Sequence, residues 1–141
     1  MGPMMKCRAP VIGVAIALAA PAAGAAEDLA FRTPSGNITC LHQSGDFSII
    51  RCDLAEFTPS FAETPDWCDW DYGHAFSLTD LDRGLVLCVT DTVIGLEAEV
   101  LEHGESFEVE GITCTADAAG MICTNPEGHG FSLTANEQTV F

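Results

Sequence analysis

From Phe107 to Thr115 apolar and polar residues alternate, with Phe107, Val109, Gly111 and Thr113 on one side. A period of two is the pattern of a half-buried strand. Shorter runs of the same kind recur along the chain, rich in Ile, Val, Phe and Thr and bounded by Gly, Pro, Asn and Asp. They predict strands over Asn37–Leu41, Ser48–Leu54, Ala75–Leu78, Leu85–Thr90, Met121–Thr124 and Phe131–Thr134. Turn signals separate them at Ser44-Gly45-Asp46, Asp80–Gly84 and Asp117–Gly120. Gly95 and Gly104 bracket residues 95–103 too tightly for a helix, so that segment reads as irregular or strand. The predicted class is all-β, a small sandwich or partly open barrel.

Two stretches break the pattern. Residues 1–26 read as a secretory signal peptide: Lys6 and Arg8, then an uncharged apolar run from Val11 to Ala20, then Pro21 and small residues. Cleavage after Ala25 or Ala26 fits, which leaves a single domain over residues 27–141 and no membrane span. Residues 55–67 hold two prolines and no period, and predict a loop. Phe57, Phe61 and Trp67 within it are expected to fold back over the core, because small domains need every apolar group they have; the alternative is a binding loop that presents them.

Cysteine usage agrees with export. Cys7 leaves with the leader, and Cys40, Cys52, Cys68, Cys88, Cys114 and Cys123 remain, an even set that reads as a disulfide framework. Cys40 and Cys52 flank one turn and Cys114 and Cys123 another, so each pair is expected to face across a hairpin. Elimination leaves Cys68 for Cys88. No C-x-x-C is present, so nothing supports a thioredoxin-like activity.

The chain also repeats itself. Cys68-x4-Gly73-His74-Ala75-Phe76-Ser77-Leu78-Thr79 matches Cys123-x4-Gly128-His129-Gly130-Phe131-Ser132-Leu133-Thr134, and Ile38-Thr39-Cys40 matches Ile112-Thr113-Cys114. Two related β units are predicted, about 37–90 and 107–141, the first enlarged by the proline-containing loop. The glycine before each histidine suits a positive φ. Period two places His74 and His129 on the faces of Phe76 and Phe131, each expected to bond a turn carbonyl.

The motifs Phe31-Arg32-Thr33-Pro34-Ser35-Gly36-Asn37-Ile38-x-Cys40, Arg51-Cys52-Asp53, Cys88-x-x-Asp91-Thr92 and Cys123-x-Asn125-x-x-Gly128-His129-Gly130-Phe131 span nearly the whole mature chain. Together they resemble an uncharacterised bacterial family of exported, disulfide-containing domains of unknown function. The resemblance implies export and disulfides, and carries no catalytic residues. Two positions depart from its pattern: His103 stands where an aromatic is usual, and Ala135 where an arginine is.

Charge narrows the function. The sequence has 21 acidic and five basic residues, a net charge of −16. Without residues 1–26 the same acids face only three arginines, a balance of −18 with no lysine. Such a surface repels phosphate backbones, so nucleic acid is not a partner. Lysine-dependent chemistry, from Schiff bases to P-loops, is excluded in the mature chain. A basic envelope or secreted protein is the partner that this charge would attract.

The leading reading is an exported, non-enzymatic binding module that needs no cofactor. Its candidate binding residues are Trp67, Asp69, Trp70, Asp71, His74, Asn125 and His129, and no residue is assigned a catalytic or metal-ligating role. The alternatives are an acidic inhibitor of a basic secreted enzyme and a small metal-dependent hydrolase using the Asp/Trp/His region. The hydrolase needs convergent carboxylates and histidine in one pocket. Ca²⁺ held by Asp66, Asp69 and Asp71 would need oxygen ligands gathered around one point.

Overall fold

The Ser44–Asp46 turn reverses the chain between two strands that place cysteines opposite each other. In the computed structural model, which describes residues 2–3, 9–17 and 28–141, β2 (Ile38–Gln43) pairs antiparallel with β3 (Ile49–Leu54), and Cys40 opposes Cys52. The two are bonded at a Cα–Cα distance of 4.0 Å. β1 (Leu29–Arg32) flanks β2, and β4 (Tyr72–Thr79) and β5 (Leu85–Cys88) continue the antiparallel meander beyond β3. A two-residue strand, β6 (Glu99–Val100), runs parallel to β1 and completes a six-stranded sheet in the order β5-β4-β3-β2-β1-β6.

The second sheet is another meander, made by β7 (Ser106–Val109), β8 (Ile112–Ala116), β9 (Gly120–Thr124), β10 (Gly130–Thr134) and β11 (Gln138–Val140). Cys114 opposes Cys123 across its β8–β9 hairpin and is bonded to it. The two sheets do not close into a barrel. They form a disulfide-stapled sandwich whose core holds Phe31, Ile38, Ile50, Phe76, Ile112, Met121, Phe131 and Leu133, all 2% exposed or less. Phe31 stacks on Phe107 at 4.4 Å between ring centroids, and Phe76 meets Phe131 at 6.2 Å.

The registers of the two meanders correspond. Phe31, Cys40, Cys52, Phe76 and Val86 form one cross-strand row, and Phe107, Cys114, Cys123, Phe131 and Val140 form the other. Cys52, not Cys68, therefore stands where Cys123 stands. Cys68 lies in the loop before β4 and bonds to Cys88, so its place in the motif match reflects spacing and not position in the sheet.

Three expectations are corrected. Residues 107–115 are not one strand, because Glu110 (φ 46°) and Gly111 (φ 85°) make a two-residue hairpin turn. Two successive positive φ values suit the twist of the flanking strands. The turn resets the alternation, so Ile112 and Cys114 face the core and Gly111 and Thr113 do not. β1 and β11 were not expected, being short edge-proximal strands with little alternation to reveal them. His74 does not follow Phe76 into the core, because the ladder with β5 slips between Tyr72 and Phe76.

Gly73 (φ 97°) and Gly128 (φ 79°) both take the left-handed conformation expected of them. Lys6, Cys7 and Arg8 of the expected signal peptide, and the expected cleavage positions Ala25 and Ala26, lie outside the described residues. Among the described residues no helix is long and apolar enough to cross a membrane.

Candidate functional site

Polar residues that look available in the sequence are largely consumed in holding the sandwich together. Asp53 is completely buried, and its carboxylate accepts from Arg51 Nε (2.8 Å) and Nη2 (2.9 Å), from Thr92 Oγ1 (2.9 Å) and from the Val93 amide (3.0 Å). Arg51 also donates to the side chain and carbonyl of Asp91, both at 3.0 Å. Partial burial pulls the guanidinium pKa down, and the bonds and charges of Asp53 and then Asp91 outweigh it, so it sits above the ordinary arginine value. The Arg51-Cys52-Asp53 and Cys88-x-x-Asp91-Thr92 motifs are thus one network that straps residues 91–93 onto the first sheet.

His74 joins this strap, with Nε2 3.3 Å from the Asp91 carbonyl. Its expected bond to a backbone carbonyl is present. His129 has a different role: its backbone amide donates to Asn125 Oδ1 and its carbonyl accepts from the Asn125 amide. His74 lies in β4 of the first sheet, and His129 in the β9–β10 turn of the second.

Asn125, a candidate binding residue, has its side chain engaged within the fold. Its Nδ2 donates to the carbonyls of Thr79 (3.0 Å) and Asp82 (2.9 Å), and its Oδ1 accepts from the amides of Glu127 and His129 (3.0 Å each). An amide side chain offers two donors and one oxygen with two lone pairs. All are used, joining the β9–β10 turn to the β4–β5 turn of the facing sheet.

The Thr33–Asn37 turn is similarly self-contained. Thr33 Oγ1 contacts the amide and carbonyl of Ile38, and the Asn37 side chain bonds both backbone groups of Glu56. His103 and Ala135, the departures from the family pattern, line hollows on either side of this turn.

The connection between β3 and β4 is different. Its first part is sewn down: Gln138, 2% exposed, bonds the Thr58 carbonyl and the Ser60 amide, and Phe57 and Phe61 pack on the core as expected. The Phe61 carbonyl lies only 2.6 Å from where a Cβ on Gly73 would stand, so glycine is required there. Beyond Phe61 the chain turns outward. Trp67 is 69% and Trp70 63% exposed, against the expectation that Trp67 covers the core. The Cys68–Cys88 bond anchors this knuckle to β5, and the Trp67 ring meets Tyr72 edge-on at 5.9 Å.

Trp67, Asp69, Trp70 and Cys88 line a hollow of about 310 Å³. Asp71 and His74 line a neighbouring one of about 440 Å³, floored by Leu54, Phe57 and Ile94. Five of the seven predicted residues therefore gather along residues 67–74, and Asn125 and His129 stand apart. Leu54 and Ile94 were missed, and no sequence signal marks them, because they are ordinary apolar positions until the fold brings them beside Phe57. Among the described residues no three or more His, Cys, Asp or Glu side chains are placed to hold a metal ion.

The fold and this knuckle define a class: a disulfide-stapled β-sandwich with one decorated connection. The chain belongs to the family of unknown function DUF6636, whose model matches residues 12–141. No curated protein matches the chain, and no solved structure matches it.

Proposed function

We propose that this protein is an exported, non-enzymatic binding module whose contact surface is the Trp67–Trp70 knuckle and whose partner is a basic exported protein. One observation carries the reading: both tryptophans of the chain are held out in solvent on a disulfide-anchored loop among Asp66, Asp69 and Asp71. Large apolar side chains exposed together, as Trp67 and Trp70 are around one hollow, mark interaction sites, and tryptophan is enriched among the residues that carry most of an interface's binding energy.

The matching registers of the two meanders supply an internal comparison. The second sheet joins the corresponding strands through residues 125–129 alone, whereas the first uses residues 55–71. Five residues suffice to join strands in this register, so the sandwich is expected to fold without the knuckle. The charge of the mature chain favours a cationic partner, and a cation over the face of an indole is attracted by its quadrupole. The apolar leader and three disulfides support export to an oxidising compartment.

The test is a panel of purified basic exported proteins of matched size and net charge, measured at low and moderate salt. The proposal expects selective binding to particular members that persists at moderate salt and weakens about tenfold or more in Trp67→Ala/Trp70→Ala. Equal binding to every member, abolished by salt and indifferent to the double substitution, would reduce the interaction to bulk charge and overturn it.

A further inference from the structure

The strap over the first sheet covers only part of its outer face. Residues 92 and 93 are bonded over Asp53, and Asp53 and its cross-strand partner Ala75 are completely buried. The far end of the same face is bare. Ile50, Leu78 and Val86 pack into the core, so the alternation of a strand turns Ile49, Thr79 and Leu85 outward. The β3–β4 ladder ends where Ile49 opposes Thr79, and two further residues in that register bring Phe47 beside Leu81. Leu85 opposes Ser77, two residues back along β4 from Thr79. Phe47 is 70% exposed, Leu81 64% and Leu85 56%.

Both turns at this corner are braced. Ser48 is buried with its Oγ 2.9 Å from His42 Nε2, and Thr79 Oγ1 accepts from the amides of Leu81 (3.4 Å) and Asp82 (3.0 Å). The apolar side chains are thus held in water by an ordered backbone, and covering them with a partner releases that cost.

The charge of the corner selects its occupant. Asp46 adjoins Phe47, Asp80 and Asp82 flank Leu81, and Arg83 is the one basic residue in the two turns. A second copy of the chain, meeting this patch with its own, would set these acids against one another on two strongly acidic molecules. We infer that the Phe47–Leu81–Leu85 corner is a second contact surface, which takes a segment of cationic and apolar side chains from a basic protein. It lies at the end of β4 opposite to the knuckle, which enters that strand at Tyr72. The inference goes beyond the knuckle and is tested apart from it.

The probes are capped eight-residue peptides: alternating lysine and leucine, the same with serine for leucine, and the same with glutamate for lysine. Each is titrated into the isotope-labelled chain and followed by amide and indole NMR signals at moderate salt. The lysine–leucine peptide is expected to shift the amides of Phe47, Ile49, Leu81 and Leu85 saturably. It should bind there about tenfold tighter than the lysine–serine peptide. The glutamate–leucine peptide should leave these amides unmoved.

Phe47→Ser/Leu81→Ser, and Leu85→Ser as a second variant, replace exposed side chains and should keep the melting temperature. Each should weaken the response at the corner about fivefold or more and leave the Trp67 and Trp70 indole signals responding as before. Equal shifts from the serine- or glutamate-containing peptide would overturn the inference. So would shifts that survive both variants, or no shifts at the corner. Sedimentation of the chain alone tests the rival occupant: a monomer is expected, and a dimer dissolved by Phe47→Ser/Leu81→Ser would make a second copy the occupant and overturn the inference. The indole signals report on the knuckle separately, so either surface can fail without the other.

Discussion

Cys52 Sγ lies 4.0 Å from Cys123 Sγ, so the two hairpin disulfides touch across the middle of the sandwich. Each staples one sheet, and together they form the contact around which the sheets pack. Cys40, Cys52, Cys114 and Cys123 are all completely buried.

That contact makes the two bridges energetically interdependent. Replacing Cys40 and Cys52 by alanine, or Cys114 and Cys123, should cost about 3 kcal/mol each by freeing the unfolded chain. Groups in contact do not contribute additively, so removing both bridges should depart from the sum by at least about 0.5 kcal/mol. Urea denaturation of the three variants checks this, and strict additivity would argue against a shared core contact.

Arg51 is predicted to matter through the charge that it leaves behind. Arg51→Ala strands the buried Asp53 carboxylate and should destabilise by about 3–5 kcal/mol. Its pKa is raised on folding, so its contribution is complete below the unfolded arginine value and is lost only as pH rises through the folded one. The cost of the substitution should therefore not diminish between neutral and mildly alkaline pH. Denaturation midpoints across that range measure it, and a cost that vanished toward alkaline pH would contradict the network's role.

Gly73 and Gly128 share a motif and a positive φ but not an environment. Gly128→Ala meets open space and should cost only the left-handed penalty, about 1–2 kcal/mol. Gly73→Ala adds a clash with the Phe61 carbonyl and should cost at least about 2 kcal/mol more. Equal melting temperatures for the two variants would show that the loop does not press on β4.

The sequence pattern carried much of this architecture. Alternation and turn residues located β2, β3, β4, β5, β9 and β10, turn position assigned two of the cysteine pairs, and elimination assigned the third. It misplaced the strand at residues 107–115 because Glu110-Gly111 reverses the chain in two residues and moves the core-facing set from Phe107 and Val109 to Ile112 and Cys114. Of the candidate site, Trp67, Asp69, Trp70, Asp71 and His74 were legible because they cluster in sequence. The bonding of Asn125 was not legible, since a polar residue in a turn motif looks available until the facing sheet supplies the Thr79 and Asp82 carbonyls. The long-range pairing of Arg51 with Asp91 left no local trace either.

The knuckle should be dispensable for folding. Trp67→Ala and Trp70→Ala are each expected to change stability by no more than about 1 kcal/mol, Trp67 losing its edge-on contact with Tyr72. Thermal melts of the single variants check this. A large destabilisation would make the tryptophans part of the scaffold.

The most direct measurement is acrylamide quenching of the two tryptophans, with and without a basic exported protein that has bound selectively in the panel, using a tryptophan-free form of that protein. The account predicts that binding shifts the emission to shorter wavelength and protects both indoles from the quencher. Unchanged emission and unchanged quenching in a saturated complex would place the contact elsewhere and contradict it.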